Sequence, residues 1–239
     1  MNLSRDTKEF PLTEKTQILL EFISEKRKER LLNVLSNRTR FITVVLEDIF
    51  DPHNGSACLR SCDANGIQDI HIIERNNFFT TKEGVSMGSG KWLSLYRYNQ
   101  NIYKEDPTLY CFNHLKSKGY RVFGMSSYPI EGKKNFTLEE IVLDCPSAFV
   151  FGSEKNGLSS TALESLDTFI QIPMYGFVES YNISVACAIT VYTLTQKLRR
   201  TNIEWGLSSQ EKEMILFDWL KKDLPGYELI LKHYQKDKI

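Results

Sequence analysis

Short runs of β-branched and aromatic residues alternate with helix-length segments along the middle of this chain. Phe41–Leu46 is one such run, Ile70–Ile73 is a second and Ser147–Phe151 is a third, each as long as a buried strand. A long helix is predicted over Asn182–Arg200. Strands that alternate with helices favour a mostly parallel sheet covered by helices on both faces. The sequence therefore predicts an α/β domain.

Both ends of the chain are predicted to add helices to this domain. Residues 14–36 place apolar side chains at helical spacing among charged neighbours, which predicts one long helix. Near the other end, Ser208–Glu211 has the Ser-x-x-Glu pattern of a capping box, which opens a further helix. We therefore predict an N-terminal helical extension over 1–40, the α/β domain over 41–201 and a C-terminal helical extension over 202–239.

The chain has no net charge, which limits how it could bind a nucleic acid. Its 239 residues hold 30 Lys+Arg and 30 Asp+Glu, so any RNA or DNA partner has to bind a local patch. Residues 26–40 supply such a patch, with six Lys+Arg against one acid, Glu29. The alternative interpretation of this stretch is an ordinary solvated helix face.

No segment predicts export or membrane insertion. The N-terminus lacks the apolar run of a signal peptide, and no window of about 18 residues is apolar enough for a transmembrane helix. The five cysteines are scattered, and Cys58 and Cys62 lack a second Cys or His pair at metal-ligand spacing. We therefore expect reduced thiols, no metal, no membrane partner and a cytoplasmic location.

Two predicted loops at the carboxyl ends of strands carry polar residues suited to catalysis, because ligands of parallel α/β sheets bind there. Asp51–Arg60 holds Asn54 and Arg60, which in isolation are a helix cap and a solvated arginine. Gly152–Gly157 holds Glu154, and its two glycines allow the backbone to approach a ligand closely. This loop has neither a P-loop nor a dinucleotide fingerprint, which argues against an ordinary NAD enzyme.

A third loop, Ile172–Ala186, leads into the long predicted helix. Ser180 and Asn182 are placed to cap that helix, and the loop before them is rich in Met, Tyr and Phe. Apolar groups around helix-end amides suit a cofactor that has both a flat ring and a charged end. The sequence therefore predicts a cofactor site at this loop.

Together the three loops resemble the SpoU (TrmH-type) branch of the SPOUT RNA methyltransferases. Asn54–Arg60 matches the first motif of that branch, N-x5-R. Gly152–Gly157 matches the second, G-x-E-x-x-G, and Ile172–Ala186 matches the third, I-P-M-x-G-x-x-x-S-x-N-x-S-x-A. The stretches at 51–54 and 90–92 are most similar to the tRNA (guanosine-2′-O-)-methyltransferase subgroup. Three motifs in order over about residues 26–200 make the resemblance specific.

The resemblance implies a fold, a cofactor and a reaction. The fold is a SPOUT α/β-knot, with a mostly parallel sheet, a C-terminal trefoil knot and an obligate homodimer. The cofactor is S-adenosyl-L-methionine, bound in the knot. The reaction is 2′-O-methylation of a ribose in tRNA, at a D-loop guanosine. The positions of this sequence that match the cofactor-binding residues of the family are Met125, Gly152, Ile172 and Tyr181.

The resemblance also implies catalytic and RNA-binding residues. Arg60 matches the catalytic arginine. Because a guanidinium is a poor base, we expect Arg60 to hold the substrate phosphate and to stabilise charge on the attacking oxygen. The residues expected to support it are Asn54, Glu154, Ser180 and Asn182. The residues expected to contact RNA are Arg27, Arg30, Arg38 and His53.

Two other functions within the family stay open from the sequence. One is methylation of ribosomal RNA, although members with that activity often carry a separate N-terminal RNA-binding domain, and the roughly 40 residues before Phe41 are few for one. The other is RNA binding without catalysis. Retention of all five catalytic positions argues against that alternative, because binding alone does not need all five.

Overall fold

The computed structural model describes residues 10–82, 84, 88–102 and 104–236. The chain divides into two units: a central unit, Arg40–Trp205, and a helical unit that combines residues up to Thr39 with residues from Gly206 onward. Both predicted helical extensions therefore contribute to one helical unit. Among the described helices, none is long and apolar enough to span a membrane.

A parallel sheet forms the middle of the central unit. Within the described residues it has seven strands in the order β3-β2-β1-β6-β4-β7-β5, and every neighbouring pair is parallel. The strands are β1 (Ile42–Glu47), β2 (Asp69–Glu74), β3 (Ser94–Asn99), β4 (Arg121–Met125), β5 (Lys134–Thr137), β6 (Ser147–Phe151) and β7 (Thr168–Gln171). The predicted parallel sheet is confirmed. The trefoil knot stays a prediction.

Helices cover both faces of this sheet. They are α3 (Pro52–Ala64), α4 (Ser89–Trp92), α5 (Pro107–Ser117), α6 (Ser160–Ser165) and α7 (Ile183–Arg199). Val44 belongs to a buried cluster that includes Leu59 of α3 and Leu194 of α7. The next residue of β1, Val45, belongs to a second cluster that includes Phe112 of α5. Because successive strand side chains point to opposite faces, the two clusters are the two layers of core.

The helical unit contains α1 (Glu14–Glu21), α2 (Glu25–Ser36), α8 (Ser209–Asp223) and α9 (Tyr227–Lys236). The prediction of one helix over 14–36 is wrong, because Ser24 starts a new helix by accepting a hydrogen bond from the backbone N–H of Arg27. The capping box predicted at Ser208 and Glu211 is confirmed. Thr13 donates to Glu213 at 2.6 Å, which ties the beginning of the chain to α8.

Candidate active site

The three motif loops all leave the sheet at the carboxyl ends of its strands. The first follows β1 and runs into α3, the second follows β6, and the third follows β7 and runs into α7. The cap of α3 is Asp51, whose carboxylate accepts from the backbone N–H of His53, and Pro52 begins the helix. Asn54 therefore lies in the first turn, and its predicted role as the cap is wrong. This leaves the amide of Asn54 available for other contacts.

Glu154 joins the second motif to the first. Its Oε1 accepts from Nδ2 of Asn54 at 2.9 Å and from the backbone N–H of Asp51 at 3.2 Å. Its Oε2 accepts from the backbone N–H of Phe50 at 3.0 Å. Burial opposes ionisation of this carboxyl, but the hydrogen bonds from Asn54 and from these backbone groups outweigh it, so the pKa of Glu154 is lowered. Glu154 is therefore a carboxylate at neutral pH.

Asn54 in turn joins the first motif to the third. Its Oδ1 accepts from Nδ2 of Asn182 at 3.1 Å. Asn182 caps α7, and its Oδ1 accepts from the backbone N–H of Ser184 at 2.8 Å and from the hydroxyl of Ser184 at 2.6 Å. Glu154, Asn54 and Asn182 thus form a continuous hydrogen-bonded chain across the three loops. Ser184, the second Ser of the third motif, is a further member of the site that the motif resemblance did not assign.

The second motif requires glycine at both ends. A Cβ on Gly152 would lie 2.1 Å from the backbone carbon of Gly157, which no side chain can do without moving the loop. Gly157 has a φ of 65°, in the left-handed region that favours glycine. The backbones of Ser153 and Gly157 exchange two hydrogen bonds, both of 2.9 Å. This tight turn holds Glu154 against the start of α3.

Arg60 and Ser180 are not part of this hydrogen-bonded chain. Both are exposed, and neither side chain hydrogen bonds or ion pairs with another residue in the part of the chain that the structure describes. Arg60 stands on α3 between buried Leu59 and the half-buried Ser61. The guanidinium therefore faces solvent, where it is able to meet an anionic group.

A pocket of about 440 Å³ lies between the loops that follow β4 and β7. Its lining consists of residues 127–129, 171–174 and 176–179. Of the residues predicted to bind a cofactor, Ile172 lines the pocket and Met125 ends β4, two residues before Ser127. Gly152 and Tyr181 lie outside the lining. The 127–129 segment was not predictable from the motifs, because it matches none of the three.

The predicted RNA-binding residues differ in their surroundings. Arg27 forms a two-point contact with Asp223, through Nε at 2.6 Å and a terminal nitrogen at 2.9 Å. Arg38 is only 1% exposed and its guanidinium lies over the ring of Trp219, 5.4 Å from the centroid. The side chain of Arg38 is therefore buried, and contact of Arg38 with RNA stays a prediction. Arg30 and His53 are exposed.

The described residues contain no group of three or more His, Cys, Asp or Glu side chains arranged to hold a metal ion. The side chains of the three motifs lie at the carboxyl edge of the parallel sheet. The fold and the site together define the class of protein: a parallel α/β protein with its ligand site where the strands end.

Comparison with known proteins gives the family. The model of the SpoU rRNA Methylase family matches residues 41–192. The tRNA (guanosine(18)-2′-O)-methyltransferase of Borreliella burgdorferi is 36% identical over 213 residues, which are 89% of this chain and 93% of the relative. The enzyme of the same name from Thermus thermophilus is 34% identical over 205 residues, 83% of this chain and 98% of the relative.

A solved structure agrees with the sequence comparisons. The A. aeolicus TrmH/SpoU tRNA modifying enzyme superposes with a TM-score of 0.72 at 28% identity, covering 84% of this chain and 98% of that chain. The chain therefore belongs to the SpoU methylase family. The family predicted from the three motifs is confirmed.

Proposed function

We propose that this protein transfers a methyl group from S-adenosyl-L-methionine to the ribose 2′-oxygen of a guanosine in tRNA, at position 18 of the D-loop. The observation that carries the proposal is the hydrogen-bonded chain Glu154–Asn54–Asn182, which brings the three motifs of a methyltransferase family to one place. This chain aligns with 93% of the Borreliella burgdorferi relative and 98% of the Thermus thermophilus relative, and both are named for this tRNA reaction. Their names supply the substrate and the position.

The pocket beside the third motif fits the proposed cofactor. Its volume of about 440 Å³ lies within the range of small-molecule sites. Ile172, Pro173 and Met174 offer apolar surface for a flat ring, and Glu179 offers a carboxylate to a positively charged group. S-adenosyl-L-methionine supplies a methyl group on a sulfonium centre.

We propose that Arg60 meets the reacting ribose and its phosphate. Its exposed guanidinium carries a permanent positive charge and offers several N–H donors in one plane. It binds the substrate phosphate and stabilises negative charge that develops on the 2′-oxygen, since it is too weak a base to take the proton. We expect Arg60→Lys to lose most turnover, because a lysine does not reproduce the planar contact. Near-full turnover of this variant would refute the role.

The amide of Asn54 is a positioning group. Its Nδ2 donates to Glu154 and its Oδ1 accepts from Asn182. Within the described residues the side chain of Arg60 makes no hydrogen bond, so Asn54 does not orient Arg60 directly. It fixes the first turn of α3 relative to the cap of α7. Arg60 then projects from a helix whose start is held by the other two motifs.

The protein is also proposed to act as a homodimer in the cytoplasm. The third motif exposes a run of apolar side chains, with Tyr175 and Phe177 fully exposed and Val178 largely so. Exposed apolar groups in such number favour a protein partner, and a second copy of this chain is the proposed one. We expect Phe177→Asp to shift the sedimentation coefficient to that of a monomer. The five cysteines are free thiols, which suits a reducing compartment.

One experiment tests the proposed reaction directly. The protein is incubated with methyl-labelled S-adenosyl-L-methionine and an unmodified tRNA transcript, and the label is mapped by nucleoside analysis. We expect label on the ribose of a single guanosine, and none in a transcript that carries a 2′-deoxyguanosine there. Label on a base would overturn the mechanism. Label only in ribosomal RNA would favour the rRNA alternative, and tight tRNA binding without label would favour the noncatalytic one.

A further inference from the structure

Two exposed phenylalanine rings lie on neighbouring loops at the edge of the sheet that carries the candidate site. Phe50 follows β1 and is 57% exposed, and Phe78 follows β2 and is 71% exposed. β1 and β2 are adjacent parallel strands, so the loops leaving their carboxyl ends run side by side. Neither ring contributes to the contacts among Glu154, Asn54 and Asn182.

Asp48 fixes the first half of the loop that carries Phe78. Its carboxylate accepts from the backbone N–H of Asn76 at 2.7 Å and of Asn77 at 2.8 Å. The side chain of Asn77 donates back to the carbonyl of Asp48 at 3.1 Å. Asp48 holds this arrangement with a φ of 56°, in the left-handed region that, after glycine, asparagine and aspartate adopt most readily. The first half of the Phe78 loop is thus held by hydrogen bonds to Asp48.

Glu74 and α3 fix the second half of the loop. The Glu74 carboxylate accepts from the backbone N–H of Phe79 at 2.9 Å. The Phe79 ring is buried against Gly55 of α3, so closely that a Cβ on Gly55 would lie 2.6 Å from it. The residues on both sides of Phe78 are therefore anchored, and the anchor at Gly55 is one residue from Asn54. Phe78 is left as an exposed ring on a held loop, which lowers the entropy cost of binding.

Phe50 is connected to the candidate site by its own backbone. Its N–H donates to Glu154, the carboxylate that also binds Asn54. The ammonium of Lys155 lies 4.4 Å from the centroid of the Phe50 ring. A positive charge beside exposed aromatic rings is the combination that proteins use to bind single-stranded nucleic acid, because bases stack on rings and phosphates bind cations.

We propose that Phe78, Phe50 and Lys155 form a nucleotide-binding surface next to the methylated ribose. Phe78 stacks on an unpaired base that flanks the target guanosine, and Lys155, held over the Phe50 ring, contacts a phosphate of the RNA backbone. This proposal rests on the proposed function, since it assumes an RNA substrate. RNA is favoured over a protein partner by the lysine on the ring and by the hydrogen bond from Phe50 to Glu154.

The test compares Phe78→Ala, Phe78→Leu and Phe78→Trp in steady-state methylation of tRNA. Loss of one base–aromatic stack weakens binding roughly 5- to 100-fold, so we expect KM for tRNA to rise by that factor in the Ala and Leu variants with kcat nearly unchanged. Phe78→Trp is expected to stay within about threefold of the wild type, because the indole also stacks. Val142→Ala, an exposed apolar truncation beyond the far strand β5, is the matched control and is expected to leave KM unchanged.

A fluorescence measurement separates stacking from a structural effect. A D-arm stem-loop with 2-aminopurine beside the target guanosine is titrated with each variant, and quenching is expected with the wild type and Phe78→Trp only. If Phe78→Ala has the same KM and the same quenching as an active wild type, the nucleotide-binding surface is overturned and the proposed function is not. If Phe78→Ala no longer forms a dimer, the nucleotide-binding surface is overturned, because Phe78 would then contact the partner subunit. A wild type that methylates no tRNA ribose would overturn the proposed function itself.

Discussion

Asn182 donates a hydrogen bond to Asn54 at 3.1 Å, across 128 residues of sequence. Each of these amides serves two partners, because Asn54 also donates to Glu154 and Asn182 also caps α7. Two helices that begin far apart in the chain therefore have their first turns held together. Arg60 lies on α3, so we expect this contact to help set its position.

Asn54→Asp is expected to break this arrangement. The variant replaces the amide donor facing Glu154 with a second carboxylate, so a 2.9 Å hydrogen bond becomes a repulsion between like charges. We expect kcat to fall at least 100-fold and the free energy of unfolding to fall by about 1–3 kcal/mol. Asn156→Asp is the matched control, because it adds the same charge two residues from Glu154, in the second motif, at an exposed position. Equal losses in both variants would show that charge alone is responsible.

Glu154→Gln is expected to change how stability depends on pH. The pKa of Glu154 is lowered in the folded protein, so its stabilising contribution is present above the unfolded pKa of about 4.3 and is lost as the pH falls through the folded pKa. The side chain is exposed, and screening limits that contribution to roughly 1 kcal/mol. Urea titrations at pH 7 and at pH 3 measure it. Glu154→Gln is expected to lose this pH-dependent contribution to the free energy of unfolding. Glu131→Gln, at an exposed position, is the control and is expected to keep it.

Arg30→Ala is expected to change the affinity for tRNA, whereas Arg38→Ala is expected to change the stability of the helical unit. Arg30 is exposed, so its loss is expected to lower the slope of log affinity for tRNA against log salt by about one, with no change in Tm. Arg38 is buried over Trp219, so its loss is expected to destabilise the helical unit by about 2 kcal/mol or more. A salt slope lowered by Arg38→Ala at an unchanged Tm would contradict this assignment.

The motifs and the sheet were predictable because both depend on local spacing. The three loops were found from residues at fixed intervals, and the buried strands were found from runs of apolar residues. The break at Ser24 was not found, because residues 21–24 lack proline and glycine and the apolar pattern continues through them. β5 was missed because its four residues include only one large apolar side chain, Phe136.

Burial and pairing of charged side chains were not predictable, because they depend on distant residues. Arg38 lies in a basic stretch, but its environment is set by Trp219 in α8. Arg27 lies in the same stretch and is neutralised by Asp223. The cap of α3 could have been assigned correctly, since Pro at the first helical position marks the residue before it, Asp51, as the cap.

Gly152→Ala is expected to disrupt the second motif. The new Cβ would overlap the backbone at Gly157 and Leu158, which are not flexible side-chain ends, so the turn has to open. We expect a loss of about 1–3 kcal/mol in stability and a larger relative loss of activity, because Glu154 moves with the turn. Gly90→Ala is the matched control, since its Cβ would make an ordinary contact of 3.7 Å with Leu59. Thermal unfolding and initial rates measure both effects.

His71 is expected to dominate the acid sensitivity of the central unit. It is 4% exposed, stacks on Tyr96 with centroids 5.0 Å apart and shares a 2.8 Å hydrogen bond with the hydroxyl of Tyr98. Burial, together with the nearby charge of His114, lowers the pKa of His71 to about 3.

In the unfolded chain His71 titrates near pH 6.5, so below that pH the unfolded state binds a proton that the folded state does not. Stability is therefore expected to fall by about 1.4 kcal/mol per pH unit from about pH 6.5 down to about pH 3. The double variant His71→Phe, Tyr98→Phe removes both hydrogen-bonding partners while keeping two rings, so it is expected to flatten this slope. His53→Gln, at an exposed position, is expected to keep it. Urea unfolding between pH 4 and pH 7 measures the slope, and an equal slope in the double variant would show that other groups cause the acid sensitivity.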